Sequence, residues 1–176
     1  MSAAIFSSDK NFGGENVAYI DAANLEGALR TSGWSLNYRR FRVFLRQRYG
    51  VQRAYIFIGY ISKYSDMYRS LQEAGYILVF KDVVYQNGKA KGNCDSDLVT
   101  KALVDLYEGD LACAVLVASD GDYTPMIKKM MEKGKFKIIL SPAPPERCSI
   151  LLKRTGAAIG YLGEVRHLIE YRHRMK

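Results

Sequence analysis

The chain alternates short continuous apolar runs with longer stretches in which apolar residues recur every three or four positions. The runs Val17–Ile20, Ala54–Tyr60, Tyr76–Phe80, Val115–Ala118 and Phe136–Ser141, with a last short one in Ala158–Leu162, predict strands buried on both faces. Helical patterns lie between them. Leu36–Gly50 sets Phe41, Phe44, Leu45 and Tyr49 on one face and closes at Gly50. Tyr64–Tyr76 carries Met67, Leu71 and Ala74 and closes at Gly75, and Thr124–Lys135 carries Met126, Ile127 and Met130 and closes at Gly134. A helix beginning near Cys94 to Ser96 turns Leu98, Val99, Ala102, Leu103 and Leu106 inward. Pro142–Ala157 predicts a helix started by proline, and Glu164–Lys176 a basic helix or tail. The stretch between Ile20 and Leu36 reads as a loop, and Asp82–Asn93, around Asn87 and Gly88, as a short hairpin or flap. Strands alternating with helices, without an internal repeat or a mid-chain linker, predict one α/β domain with a mainly parallel sheet between two helical layers.

In this pattern the acidic residues stand out by position. The run Val115–Ala118 ends in Ser119, Asp120, Gly121 and Asp122, and the run Val17–Ile20 ends in Asp21, with Asn24 shortly after. Two strands therefore deliver carboxylates to the carboxyl edge of the sheet, where ligands bind in open α/β folds. The competing reading makes Asp120 the cap of the following helix and Asp122 part of its first turn. Asp95 lies three and four residues before Leu98 and Val99, which turns it toward the sheet, although it too reads as a helix cap. Asp97, Lys101 and Asp105 stand four apart and read as a surface charge ladder.

Charge changes the picture next. With 26 Lys and Arg against 18 Asp and Glu, the chain carries a formal +8, which favours a polyanionic partner around an acidic centre. That combination suits metal-assisted phosphodiester chemistry, with basic side chains holding the backbone and carboxylates holding the ion. Arg39, Arg42 and Arg46 recur at i, i+3 and i+7 as a basic stripe, and Lys89 and Lys91 make the flap basic. Either set is a phosphate grip or a solvated face. Cys94, Cys113 and Cys148 are odd in number and include no C-x-x-C pair, so they support neither a disulfide framework nor a zinc site. His167 and His173 read as incidental. Residues 1–15 read as a flexible leader without the apolar core of a signal peptide, and no apolar run is long enough to span a membrane; the expectation is a soluble cytoplasmic protein. There is no G-x-G-x-x-G after the first strand and no P-loop, which weakens nucleotide-cofactor readings.

Taken together, YIDAANL, KGNCDSDLV opening a helix, and VASDGDYTPMI before a glycine-closed helix and a strand resemble the NYN domain family, a branch of the PIN-like nucleases. The resemblance runs from about Val17 to about Leu162. It implies a three-layer α/β/α, Rossmann-like fold over residues 16–176 and a metal-dependent ribonuclease of endonucleolytic type. Carried onto this chain, it makes Asp21, Asp95, Asp120 and Asp122 the catalytic and Mg²⁺- or Mn²⁺-binding residues, with Asn24 and Ser119 as supporting ligands or substrate contacts. Tyr123 departs from the pattern, standing where phenylalanine is common. RNA is the implied partner, and a homodimer stays open. Two other functions compete: a non-catalytic nucleic-acid-binding or regulatory module of the same fold, and a haloacid-dehalogenase-type phosphatase, whose D-x-D-x-T start DGDYT also resembles. The phosphatase motif normally follows the first strand, which argues against it here.

Overall fold

The computed structural model describes residues 14–82, 84–86, 89–91 and 94–172. Six strands form one parallel sheet: β1 (Glu15–Asp21), β2 (Val51–Tyr60), β3 (Ile77–Asp82), β6 (Leu111–Val117), β7 (Phe136–Ser141) and β8 (Ile159–Tyr161), in the order β3-β2-β1-β6-β7-β8. Between β3 and β6 in the chain, β4 (Val84–Gln86) and β5 (Lys89–Lys91) pair antiparallel as a separate hairpin. This is the expected flap. Asn87 and Gly88, where the sequence predicts a turn, and the side chains of Lys89 and Lys91 lie outside the described residues, as does His173.

The sheet is buried on both faces, which is why its strands read as continuous apolar runs. Ala18, Ile20 and Ile56 face one layer, against α1 (Ala22–Thr31), α2 (Tyr38–Tyr49) and α3 (Ser65–Glu73) through Leu25, Leu29, Phe41, Leu45 and Leu71. Val17, Tyr19, Phe57 and Leu116 face the other layer. It comprises α4 (Asp95–Glu108), α5 (Thr124–Glu132) and the one-turn α6 (Ile150–Lys153), and it contributes Leu98, Ala102, Met126, Ile127, Met130 and Leu152. A final one-turn helix, α7 (Arg166–Ile169), returns to α2. From β1 the chain winds outward through β2 and β3, then crosses back through α4 to begin again beside β1 with β6. The two strands that end in aspartates are therefore neighbours at the point where the winding direction reverses, and the crevice between their carboxyl ends is the natural ligand site of such a sheet.

Several expectations change. The loop expected after Ile20 contains α1, whose inward face is only Ala22, Leu25 and Leu29. Asn24 and Gly27, poor helix formers, interrupt its pattern. The proline-started helix does not form: Pro142–Ser149 is a turn region, and only Ile150–Lys153 is helical, with the Ser149 hydroxyl accepting from the Leu151 amide. Consecutive Pro144 and Pro145 hold the residues before them out of the helical region. On α3 the inward positions are Tyr68 and Leu71, with Met67 exposed. The charge ladder is also different. Asp105 is buried, held by the Tyr19 hydroxyl at 2.8 Å and paired with Lys101, whereas Asp97 pairs with Lys81 across to β3 at 3.4 Å. Other boundaries hold closely: Gly50 (φ 65°) and Gly134 (φ 65°) follow their helices in the left-handed conformation that glycine tolerates best.

Candidate functional site

Asp21 ends β1 and caps α1: its Oδ1 accepts from the Asn24 amide at 3.0 Å. It is 5% exposed, and burial raises its pKa above the ordinary carboxylate value, against the lowering pull of hydrogen bonds from Asn24 and Tyr123. Asn24 ties the two strand ends together, its Oδ1 accepting from both the amide (2.8 Å) and the hydroxyl (2.9 Å) of Ser119. With its oxygen so engaged, Asn24 acts as a strut between β1 and β6, and only its amide NH₂ remains as a donor.

Beyond Ser119 the chain makes one turn of 3₁₀ helix, Gly121–Tyr123, before α5. Asp120 caps that turn by accepting from the Asp122 amide at 3.1 Å, so the capping role expected as an alternative is real, and it leaves the other carboxylate oxygen available. Gly121 lets the turn sit tight against the following segment. A Cβ placed there would lie 2.5 Å from the Ser149 hydroxyl and 3.0 Å from Leu151, and the Ser149 amide in turn donates to the Ser119 carbonyl at 3.1 Å. In the same layer, α4 begins at Asp95, partly buried, with the helix N-terminus behind it.

These elements bring Asp95, Asp120 and Asp122 together, one oxygen of each lying within 4.8 Å of the others. Among the described residues this is the cluster that meets that span. Ligands on one Mg²⁺ at about 2.0–2.1 Å stand at most about 4.2 Å apart, and those on a larger hard cation about 5 Å, so the carboxylates fit the shell of a single divalent ion. Asp21 is not within this group. It is joined to it by Tyr123, whose fully buried ring places its hydroxyl 2.8 Å from Asp21 Oδ2 and 2.8 Å from Asp95 Oδ1. Burial, then the charges and hydrogen bonds of the two aspartates, hold the phenol far above its usual pKa, so it keeps its proton. One proton serves one of two acceptors; the second contact needs a proton on the buried Asp21 carboxyl or a cation nearby.

The basic residues fall elsewhere. Arg42 donates to the carbonyls of Gly75, Val51 and Gln52, at the amino-terminal edge of β2 and β3, and Arg39 pairs with Glu73 at the end of α3. Arg46, one turn nearer the end of α2 that leads into β2, is exposed. The stripe thus runs toward the sheet edge opposite the carboxylates. Sequence reasoning missed Tyr123, which reads as a core aromatic, and the Ser149 segment that clamps the acidic turn.

A six-stranded, doubly wound α/β/α protein with carboxylates at its switch point has the architecture of the PIN-like superfamily. The chain belongs to the NYN domain family of that superfamily, whose sequence profile matches residues 16–155. No curated protein matches the sequence. A solved structure, that of a protein of unknown function from Vibrio parahaemolyticus, is similar with a TM-score of 0.70 at 18% identity, covering 89% of this chain and 96% of that one. That likeness concerns the fold. Among the described residues, no helix is long and apolar enough to cross a membrane.

Proposed function

We propose that the chain is a Mg²⁺- or Mn²⁺-dependent ribonuclease that hydrolyses internal phosphodiester bonds of RNA in the crevice between β1 and β6. The observation that carries the reading is the meeting of Asp95, from the start of α4, with Asp120 and Asp122, from the turn after β6, within 4.8 Å in a chain of net charge +8. A bound divalent ion supplies a water of lowered pKa and charge stabilisation at phosphorus. The residues of the chain do the rest. Asp95 and Asp120, partly buried, offer fixed oxygens; Asp122, exposed, is placed to orient water or take a proton at the mouth of the crevice. Asn24 and Ser119 keep the two strand ends in register, so the carboxylates are preorganised.

The substrate path follows from the same geometry. With the arginine stripe on the far edge, RNA is taken along the carboxyl edge. There Tyr60 and Phe80, at the ends of β2 and β3, are each more than 40% exposed and in ring contact at 5.4 Å. Exposed rings of this kind stack bases of single strands without reading their sequence. The phosphatase reading is disfavoured because DGDYT follows β6 rather than the first strand and its tyrosine is bonded to Asp21 and Asp95. The test is incubation of a labelled circular single-stranded RNA with Mn²⁺, with and without EDTA. Linearisation that EDTA blocks supports the reading, since only an endonuclease opens a circle. RNA binding without linearisation favours the non-catalytic module, and hydrolysis of p-nitrophenyl phosphate alone favours the phosphatase.

A further inference from the structure

We propose that Tyr123 is the positioning residue of the cation site and that Asp21 acts on the cation through Tyr123 rather than as a ligand. The inference rests on reading Asp95, Asp120 and Asp122 as a divalent-cation site, and it assigns the fourth acid a different place.

Three observations support it. Both oxygens of Asp21 are engaged by the protein itself, Oδ1 by the Asn24 amide at 3.0 Å and Oδ2 by the Tyr123 hydroxyl at 2.8 Å. Asp21 is buried and lies outside the group of oxygens that share the 4.8 Å span. The same hydroxyl is 2.8 Å from Asp95 Oδ1, so a single oxygen atom joins the acid at the end of β1 to the acid at the start of α4, across 74 residues of chain. The packing of the turn needs only the ring of Tyr123; the hydroxyl adds the connection.

The physical consequence is directional. A charge-assisted O–H···O⁻ bond restricts the rotamer of Asp95 and fixes which face of its carboxylate meets the cluster. Asp21, behind the phenol, orients the hydroxyl without occupying a coordination position. This is the arrangement of an outer partner that aims a ligand, and removing such partners typically weakens metal binding by roughly 10- to 100-fold.

The test is Mn²⁺ binding by isothermal titration calorimetry, without RNA, on the metal-stripped full chain as wild type, Tyr123→Phe, Asp21→Asn and the double variant. Thermal melts monitored by circular dichroism check that each is folded. Tyr123→Phe is expected to weaken Mn²⁺ binding about tenfold or more, Asp21→Asn by a similar factor, and the double variant no further than the weaker single, because both substitutions break one connection. An affinity of Tyr123→Phe within twofold of wild type overturns the inference. So does an Asp21→Asn effect as large in the Tyr123→Phe background as in wild type, which would mean that Asp21 reaches the ion by itself. Should Asp21→Asn not fold, Tyr123→Phe decides alone by the twofold criterion; a Tyr123→Phe chain that does not fold overturns the inference, because the hydroxyl would then hold the fold rather than aim Asp95. Wild type that binds Mn²⁺ but cleaves no RNA defeats the ribonuclease reading and leaves this one standing. Wild type that cleaves, with Mn²⁺ binding untouched by Tyr123→Phe, does the reverse, and wild type that binds no Mn²⁺ overturns both.

Discussion

Asp120→Asn separates the structural and chemical roles of one residue. Asparagine caps a helical turn about as well as aspartate, so the bond from the Asp122 amide survives and the turn keeps its shape. What is lost is one of three crowded charges. At the 4.8 Å limit, the repulsion between Asp95 and Asp120 is about 1 kcal/mol in bulk water and about 3.5 kcal/mol at an effective dielectric of 20. Without metal, the variant is therefore as stable as wild type or more so. For a domain of this size each kcal/mol moves the melting temperature by about 2–4 °C. Mn²⁺ at a hundred times its dissociation constant adds about 2.7 kcal/mol to wild type, a rise of about 5–11 °C. If the variant binds a hundredfold more weakly, the same Mn²⁺ adds only about 0.4 kcal/mol, or about 1–2 °C. The signature is the size of the Mn²⁺ shift: wild type rises by about 5–11 °C and the variant, which melts at or above wild type in EDTA, by only about 1–2 °C, read by differential scanning fluorimetry. Equal Mn²⁺ shifts in the two proteins would refute the assignment of Asp120 to the cation. A loss of about 1–2 kcal/mol in EDTA would show that Asp120 matters as a cap whose geometry asparagine fails to copy.

The clamp on the acidic turn is tested by Gly121→Ala, whose new Cβ would meet the Ser149 hydroxyl at 2.5 Å. It should cost about 1–3 kcal/mol in denaturant unfolding and weaken Mn²⁺ binding, with Ser149→Gly in the same chain restoring part of both. Arg42→Ala should lower stability by about 1–3 kcal/mol through the carbonyls it leaves, yet leave the salt dependence of RNA binding unchanged; a flattened slope would return the stripe to the RNA path. Asp21, with its pKa raised by burial, binds its proton more tightly folded than unfolded. Its stabilising contribution is full below its unfolded value and is lost as pH rises through the folded one. Metal-free protein should therefore lose stability with rising pH across that window, and Asp21→Asn should flatten the loss in melts taken in EDTA.

The parts of this molecule legible in its sequence were those written in a single period. Strands buried on both faces read as unbroken apolar runs, and the inward turn of Asp95 followed from its spacing to Leu98 and Val99. Where periodicity identified a face without saying what lay opposite, the reading stopped short. The stripe Arg39, Arg42 and Arg46 was a real face of α2, but nothing in its spacing revealed that Arg42 would meet three carbonyls at the amino edge of the sheet. Asp105 carried a usable signal, seven and three residues after the buried Leu98 and Ala102, but its charge pointed to the surface, where carboxylates usually lie. Tyr123 carried none. Its partners are 102 and 28 residues away, and only the tertiary meeting of β1, α4 and the turn after β6 gives its hydroxyl something to hold.

The most direct test of the central claim is cleavage and binding of one labelled single-stranded RNA by wild type, Asp95→Asn, Asp120→Asn and Asp97→Asn in Mn²⁺. Asp95→Asn and Asp120→Asn should lose cleavage while still binding RNA, and Asp97→Asn, which breaks only a partly exposed pair with Lys81, should cleave nearly as wild type does. Cleavage that persists in Asp120→Asn, or that EDTA fails to stop in wild type, would contradict a metal-dependent nuclease site at Asp95, Asp120 and Asp122.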